Sequence, residues 1–281
     1  MKSVISTSMN DKISVYGSTG FIGGTFCRLF PDQIIQIPRN EREPQSNNIL
    51  YLISTTTNHN VFDNLQIDVD TNLKILLETL EKCKNENIVF NYVSTGFVYG
   101  LNINDALETD PCDPRGFYSI TKRAAEQLII SFCQTFNVKY RIIRLANLYG
   151  DDKTVSPKKN VLGFLINLMK EDKTITLHDG GSHIRDYTHV DDVCRGIKLV
   201  MDKGEMNSIY NVASGESMPF RNIMEKAREL LNSKSQFVSV ETPDFNKAVL
   251  PSNFYINTNK LKTLGFVPSI SLEQGLKNLC S

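Results

Sequence analysis

Tyr118-Ser-Ile-Thr-Lys122 puts a phenol and an ammonium four residues apart, on one face of a helix. Such a pair can move a proton at a substrate oxygen. Free tyrosine titrates near ~10, and a neighbouring cation favours the phenolate and lowers that value. Alone, the spacing is common by chance, and a solvated helix face explains it equally well. Two other features accompany it here. A glycine-rich turn, Gly17-Ser-Thr-Gly20-Phe-Ile-Gly23, lies near the start of the chain. A hydroxyl-bearing strand end, Val93-Ser-Thr-Gly-Phe-Val-Tyr-Gly100, sets Thr95 23 residues before the tyrosine. Read alone, Thr95 is a strand-end hydroxyl capping a loop.

The G-x-x-G-x-x-G spacing of Gly17, Gly20 and Gly23 meets the needs of a dinucleotide pyrophosphate. Those needs are a tight turn, close backbone approach and a helix N-terminus aimed at the anion. An ordinary strand-to-helix turn can look the same. The next apolar run ends Ile37-Pro-Arg39-Asn40, where NAD binders usually carry an Asp or Glu for the ribose. An arginine instead suits a 2′-phosphate. Arg39, helped by Arg42, is therefore expected to select NADP, with NAD as the alternative. A solvated loop arginine is the competing reading.

Alternating elements must position these residues. Lys12 to Tyr16 reads as a strand, Phe21 to Phe30 as a helix, and Ile34 to Ile37 and Ile49 to Ile53 as strands, the last followed by Ser54-Thr-Thr-Thr57. Asp70 to Cys83 has helical spacing through Leu73, Leu76, Leu77 and Leu80. Ile88 to Val93 and Tyr140 to Leu145 read as strands around a long helix from Tyr118 to Phe136. This order predicts an α/β fold, a parallel sheet with helices on both faces. Beyond Gly150 the pattern changes. Asp151 to Lys159 reads as a polar loop, with helices at Val161 to Met169, Val190 to Met201, Phe220 to Leu231 and Leu272 to Leu279. We expect a nucleotide-binding lobe over 1–150, to which helix 190–201 returns, and a smaller discontinuous lobe over 151–281.

Composition narrows the function. Lys plus Arg equals Asp plus Glu at 31 each, which argues against broad attraction to nucleic acid or an anionic membrane. The six cysteines include no C-x-x-C pair, and the histidines show no metal-ligand spacing, so free thiols, a cytoplasmic setting and no metal are expected. No apolar run approaches the ~20 residues of a membrane span. Met1 to Asp11 lacks an apolar h-region and reads as a loose leader.

Together the glycine turn, the Thr95 phrase and the Tyr118–Lys122 pair resemble the extended short-chain dehydrogenase/reductase family, in its nucleotide-sugar epimerase, dehydratase and reductase branch. Arg144-Leu-Ala-Asn147-Leu-Tyr-Gly150 and the long phrase from Asp179 through Arg185-Asp-Tyr-Thr-His189 to Val193 extend the likeness over nearly the whole chain. The resemblance implies a Rossmann-type doubly wound sheet with a smaller C-terminal α/β substrate lobe, and a homodimer through the Tyr118 helix and its predecessor. It implies Tyr118 as acid/base, Lys122 on the nicotinamide ribose and Thr95 on the reacting oxygen. Gly17, Thr19, Gly20, Phe21, Ile22, Gly23, Arg39 and Ser54 would line the cofactor. Asn147 and Arg185 would bind a nucleotide-sugar substrate, Arg185 gripping its diphosphate. Asn72 would shape the sheet edge, and His189 is read as structural, since nothing pairs it with a nucleophile or metal.

Three departures qualify the likeness. Only Asn40 to Asn48 joins the second and third strands, where the family inserts a helix and a strand. Gly96-Phe97 follows Thr95 where 4,6-dehydratases carry Asp-Glu, so water elimination is not expected. Leu250 precedes Pro251 where relatives carry an arginine, with Lys247 as a weaker substitute. The expected activity is therefore an NAD(P)-dependent oxidoreductase on a nucleotide-linked sugar, first a 4-keto-deoxysugar nucleotide reductase serving surface-polysaccharide synthesis. A 4-epimerase with tightly held NAD and a non-catalytic dinucleotide-sensing subunit are the alternatives.

Overall fold

A computed structural model of the chain describes residues 12–101, 103–151 and 160–281. The leader expected at Met1 to Asp11 and, from residue 152 on, the polar loop expected over Asp151 to Lys159 lie outside the described residues. In chain order the strands are β1 (Ile13–Tyr16), β2 (Ile34–Gln36), β3 (Asn48–Tyr51), β4 (Val89–Thr95), β5 (Ile103–Ala106), β6 (Lys139–Leu145), β7 (Asn147–Tyr149), β8 (Ile175–His178), β9 (Ile184–His189), β10 (Ser208–Val212), β11 (Ser217–Pro219), β12 (Phe237–Val240) and β13 (Phe254–Ile256). The helices are α1 (Phe21–Leu29), α2 (Ile67–Val69), α3 (Ile75–Leu80), α4 (Phe117–Phe136), α5 (Val161–Lys170), α6 (Val190–Lys203), α7 (Phe220–Leu231), α8 (Asp244–Val249), α9 (Asn259–Thr263) and α10 (Leu272–Cys280).

Six strands form one parallel sheet in the order β2-β1-β3-β4-β6-β10. The strands are apolar on both faces, as a sheet covered on both sides requires. On one face Phe26 of α1 and Val193, Ile197 and Val200 of α6 pack on Val15, Ile143 and Val212. On the other, Leu76 and Leu80 of α3 and Ala125 and Ile129 of α4 pack on Ile49, Tyr51, Phe90 and Ile142. This is the doubly wound parallel sheet that the alternation implied. The chain leaves β1 outward to β2, then returns past it to β3. That reversal puts a topological switch point between the ends of β1 and β3, where ligands of such sheets bind. β2 is the outer edge, because the nine residues Asn40 to Asn48 are too few to build another helix and strand.

The helix expected over Asp70 to Cys83 is interrupted. Between α2 and α3 the residues Asp70–Lys74 form a π-turn, whose wider winding shifts the phase of the apolar face. Leu76 and Leu80 are buried, while Leu77 is left exposed.

A second layer holds the order β11-β9-β13-β5, with β7 on β9, and a separate β8–β12 pair. Leu165, Ile166 and Met169 of α5, Ile223 and Met224 of α7 and Leu276 of α10 make its core. A cut at residue 150 does not separate the layers. β5 lies before that point and joins the second sheet, while β10 lies after it and closes the first. Pairing of β5 with β13 ties the loop after β4 to the chain near residue 254.

Candidate active site

The glycine turn leaves β1 at the switch point. Gly17 has φ +80°, and a Cβ there would come within 3.1–3.2 Å of the Leu52 and Ile53 backbone at the end of β3. A Cβ on Gly23 would lie 2.1 Å from Gly17 O, so only glycine lets α1 pack against its own entry turn. Gly20 is the N-cap of α1 and supplies no side-chain cap, which leaves the first-turn N–H groups open to an anion. Thr19 and Gly20 are exposed beside that opening, while Phe21 and Ile22 pack partly into the core. This cradle fits a pyrophosphate.

Arg39 follows β2 on the surface, and its guanidinium makes no hydrogen bond or ion pair among the described residues. Arg42 does not help it. Its Nε donates to Glu78 Oε2 at 3.1 Å, and its Nη1 donates to the carbonyls of Arg39 and Glu41 at 2.9 and 3.0 Å. Those bonds lock the short loop in place of the missing helix. Ser54 is also engaged, its Oγ lying 2.7 Å from Thr55 O and 3.0 Å from Asn72 Oδ1.

Thr95, Tyr118 and Lys122 come together at the end of β4 and the start of α4. Thr95 Oγ1 accepts from the Phe97 N–H at 3.3 Å, capping the short turn Gly96–Tyr99. The capping reading and the proximity to Tyr118 are thus both true of one hydroxyl. Burial pushes the Tyr118 phenol up to about 12; the Thr95 hydroxyl beside it pulls down, and the Asp68 carboxylate adds to the rise. Lys122 is buried, with Nζ donating to Val93 O at 2.7 Å and sitting 4.1 Å from the centre of the Tyr92 ring. Burial pushes its ammonium down to about 7, and Glu126 pulls it up. The expected lowering of the phenol by the ammonium is therefore reversed. Burial outweighs it, and an amine titrating near neutrality carries only part of its charge there.

Glu126, Asp68 and Asn58, which also build the site, escaped sequence reasoning, while Asn72 was expected only to shape the sheet edge. Glu126 continues the Tyr118–Lys122 stripe at the next four-residue step and is wholly buried. It accepts from Arg144 Nε at 3.0 Å and Nη2 at 2.8 Å, and from Arg123 Nη1 at 2.8 Å. Its four-residue spacing was a usable signal. Asn72, inside the π-turn, donates to Thr55 Oγ1 at 2.8 Å and Thr121 Oγ1 at 2.9 Å, joining the β3 loop to α4. Buried Asp68 accepts from Thr55 Oγ1 at 2.5 Å and Asn60 Nδ2 at 3.0 Å. Asn58 donates to Ser119 Oγ at 3.2 Å and to Val249 O at 3.3 Å, fixing the start of α4 against α8. None of these pairings has a local sequence signature.

The position after Thr95 is closed. A Cβ on Gly96 would lie 2.8 Å from Phe254 Cε2 and 3.2 Å from Ile256 Cγ2. Phe97 stacks on Phe254 with ring centres 4.4 Å apart. β13 thus fills with an aromatic pair the space that an acidic pair would need.

On the second layer, Asn147 opens β7, and its Nδ2 is buried with no hydrogen-bond partner among the described residues. Arg185, on β9, is turned toward the 250s. Its Nη1 donates to Ile184 O at 2.9 Å and to Ser252 O, and its Nη2 donates to Pro251 O at 3.4 Å. A single arginine therefore reaches the segment where Leu250 stands. Lys247 does not substitute, because it pairs with Glu241 and lies 3.7 Å from Asp244. His189 caps α6, its Nδ1 accepting from the Asp191 N–H at 3.2 Å, and packs edge-on to Tyr149.

Residues 49–213 match the family model described as "NAD dependent epimerase/dehydratase family". The chain is 30% identical over 209 residues to a trifunctional UDP-glucose 4,6-dehydratase/UDP-4-keto-6-deoxy-D-glucose 3,5-epimerase/UDP-4-keto-L-rhamnose-reductase of Arabidopsis thaliana, covering 70% of this chain and 30% of that protein. It is 31% identical over 191 residues to a low-salt glycan biosynthesis protein of Haloferax volcanii, covering 67% and 59%. It therefore spans less than two thirds of the length of these relatives. The solved structure of a UDP-glucose 4-epimerase from Thermotoga maritima with UDP-glucose shares the fold, with a TM-score of 0.85, 23% identity and coverage of 96% and 97%. The chain belongs to the NAD dependent epimerase/dehydratase family. Among the described residues no helix is long and apolar enough to cross a membrane, and no group of His, Cys, Asp and Glu could hold a metal ion.

Proposed function

We propose that the protein is an NADP-dependent reductase that converts a 4-keto-deoxysugar nucleotide to a deoxysugar nucleotide, in the cytoplasm and for a surface polysaccharide or glycan. The observation that carries this reading is the closed position after Thr95. With Gly96 filled by Phe254 and Phe97 stacked beside it, no carboxylate stands there to take a proton from C5. What remains is chemistry at one C–O centre.

The phenol can serve this step, because burial keeps it in the protonated form that reduction of a carbonyl requires. The dinucleotide, seated on the Gly17–Gly23 cradle, would supply the hydride. Tyr118 gives its proton to the sugar oxygen, which Thr95 holds by a hydrogen bond. Lys122 contacts the nicotinamide ribose. Arg39, free on the surface at the edge of the cradle, meets the 2′-phosphate. Asn147 spends its unpartnered amide on the substrate, and Arg185 turns from its backbone carbonyls to the diphosphate.

The assembly proposed is a homodimer. Val69 and Leu77, on either side of the π-turn, and Ile120 and Leu128 on α4 are exposed apolar side chains. Together they offer apolar surface suited to a second copy.

Purified protein should oxidise NADPH when offered UDP- or dTDP-linked 4-keto-6-deoxysugars, and should not eliminate water from the parent UDP- or dTDP-hexoses. Inversion of a sugar without consumption of added NADPH would replace this reading with the epimerase.

A further inference from the structure

β4, which carries Thr95 at one end, borders a cavity at the other. It has a volume of about 340 Å³ and lies at the N-terminal edge of the parallel sheet. Asn47 and Asn48 at the start of β3, Asn87 before β4, Arg141 on β6, and Met201 and Met206 line it. Val89 borders it too, while Thr95 ends the same strand. Six steps of a strand at ~3.3 Å each put the two sites roughly 20 Å apart.

Arg141 is the unusual member. It is 4% exposed, and no carboxylate lies within ion-pair distance of it among the described residues. Its Nε donates to Gly204 O at 2.9 Å and its Nη1 to Asn91 Oδ1 at 3.1 Å. Gly204 caps the C-terminus of α6, so the guanidinium meets a helix end worth about half a negative charge. The nearby carboxylate of Asp202 is itself held twice, at 2.6 Å, by Lys198 Nζ. The rest of the positive charge is unbalanced in a buried setting, where a lone charge is costly. Nη2 makes no hydrogen bond among the described residues, and Arg141 is part of the cavity wall.

The rest of the wall offers neutral amides and no acid. Asn48 Oδ1 is taken by Asn91 Nδ2 at 2.9 Å, which turns its own amide N–H₂ into the free end. The side chains of Asn47 and Asn87 have no hydrogen-bond partner among the described residues. A guanidinium edge ringed by amide donors is the chemistry that receives an oxyanion, and the methionines and Val89 can cover a small apolar body behind it.

We propose that this cavity is a binding site for a small oxyanion-bearing ligand, a phosphate or carboxylate group seated on Arg141, separate from the nucleotide-sugar site. The test is calorimetric titration of the full chain with inorganic phosphate and, in a second arm, with acetate. The comparison is with Asn47→Ala/Asn87→Ala, which removes two amide donors that hold no other part of the fold, and with Arg141→Met. Binding of at least one probe should be tenfold or more weaker in the asparagine double variant and lost in Arg141→Met, with NADPH affinity unchanged in the double variant. The stronger of the two probes identifies the group. Should Arg141→Met fail to fold, the double variant decides alone. Equal affinity of the double variant and the unaltered protein for both probes, or no binding of either by the unaltered protein at about 10 mM, the weak end of the millimolar range, overturns the proposal.

Discussion

The two layers hold their polar groups in different ways. At the ends of β1, β3 and β4 every functional group is fixed by short-range geometry: Gly23 against Gly17 O, Thr95 on Phe97 N–H, Lys122 on Val93 O. On the second layer Arg185 spends its donors on the carbonyls of residues 184, 251 and 252, and Asn147 leaves its amide unpaired among the described residues. On the proposed reading, the first region holds the reacting groups and tolerates little change, and the second exchanges its bonds for those of a substrate, so variation there would alter what is bound before it alters what is done.

The comparison breaks most sharply at Tyr118. Tyr118→Phe removes the proposed proton donor and keeps the ring, and turnover should fall by about 10²–10⁴. Steady-state rates at fixed NADPH measure it, and a near-normal rate would show that the first layer is not where the proton moves.

The buried ion cluster behind the site is next. Arg144→Met leaves Glu126 with Arg123 as its one remaining ion pair among the described residues, and breaking such a buried pair should cost about 3–5 kcal/mol in urea unfolding. A loss below about 1 kcal/mol, the worth of an exposed pair, would show that the cluster does not brace α4.

Lys122 gives a pH signature. Burial lowers its folded value to about 7 from the usual lysine range. Between about pH 7 and 10.5 the unfolded chain then holds more protons than the folded one, so this group's contribution to stability rises with pH across that window. Lys122→Met should flatten the rise in unfolding midpoint between pH 7 and 9 while abolishing turnover. An unchanged pH slope would place the lysine in a solvated environment.

A smaller change is expected at the surface. Arg39→Ser should shift the NADPH-to-NADH preference by roughly tenfold, about 1.4 kcal/mol, through the Michaelis constant for the dinucleotide. A preference for NADH in the unaltered protein would remove Arg39 from the site.

What the sequence disclosed follows the same division. The glycine turn, Thr95 and the Tyr118–Lys122 stripe were legible because their geometry is set within a turn or a strand end, and the β/α alternation gave the parallel sheet. The shortened Asn40–Asn48 link showed that no further helix and strand fit between β2 and β3. Glu126 was within reach, since it continues the stripe. The plug of Gly96 by Phe254, the bond from Asn58 to Val249 and the crossing of β5 into the second sheet were out of reach, because each joins residues more than a hundred positions apart. The π-turn at Asp70–Lys74 was hidden by an apolar pattern that also suits an unbroken helix. The pH behaviour of Tyr118 and Lys122 could not be read from their spacing, since burial, not their mutual charge, sets it.

The most direct test follows the hydride. With NADPH deuterated at nicotinamide C4 and a UDP- or dTDP-linked 4-keto-6-deoxysugar, mass and NMR analysis of the product should find one deuterium on sugar C4, with one NADPH consumed per sugar. A 4-keto sugar recovered with no deuterium and no NADPH consumed, while a parent UDP- or dTDP-hexose is inverted at C4 or loses water, would contradict the account.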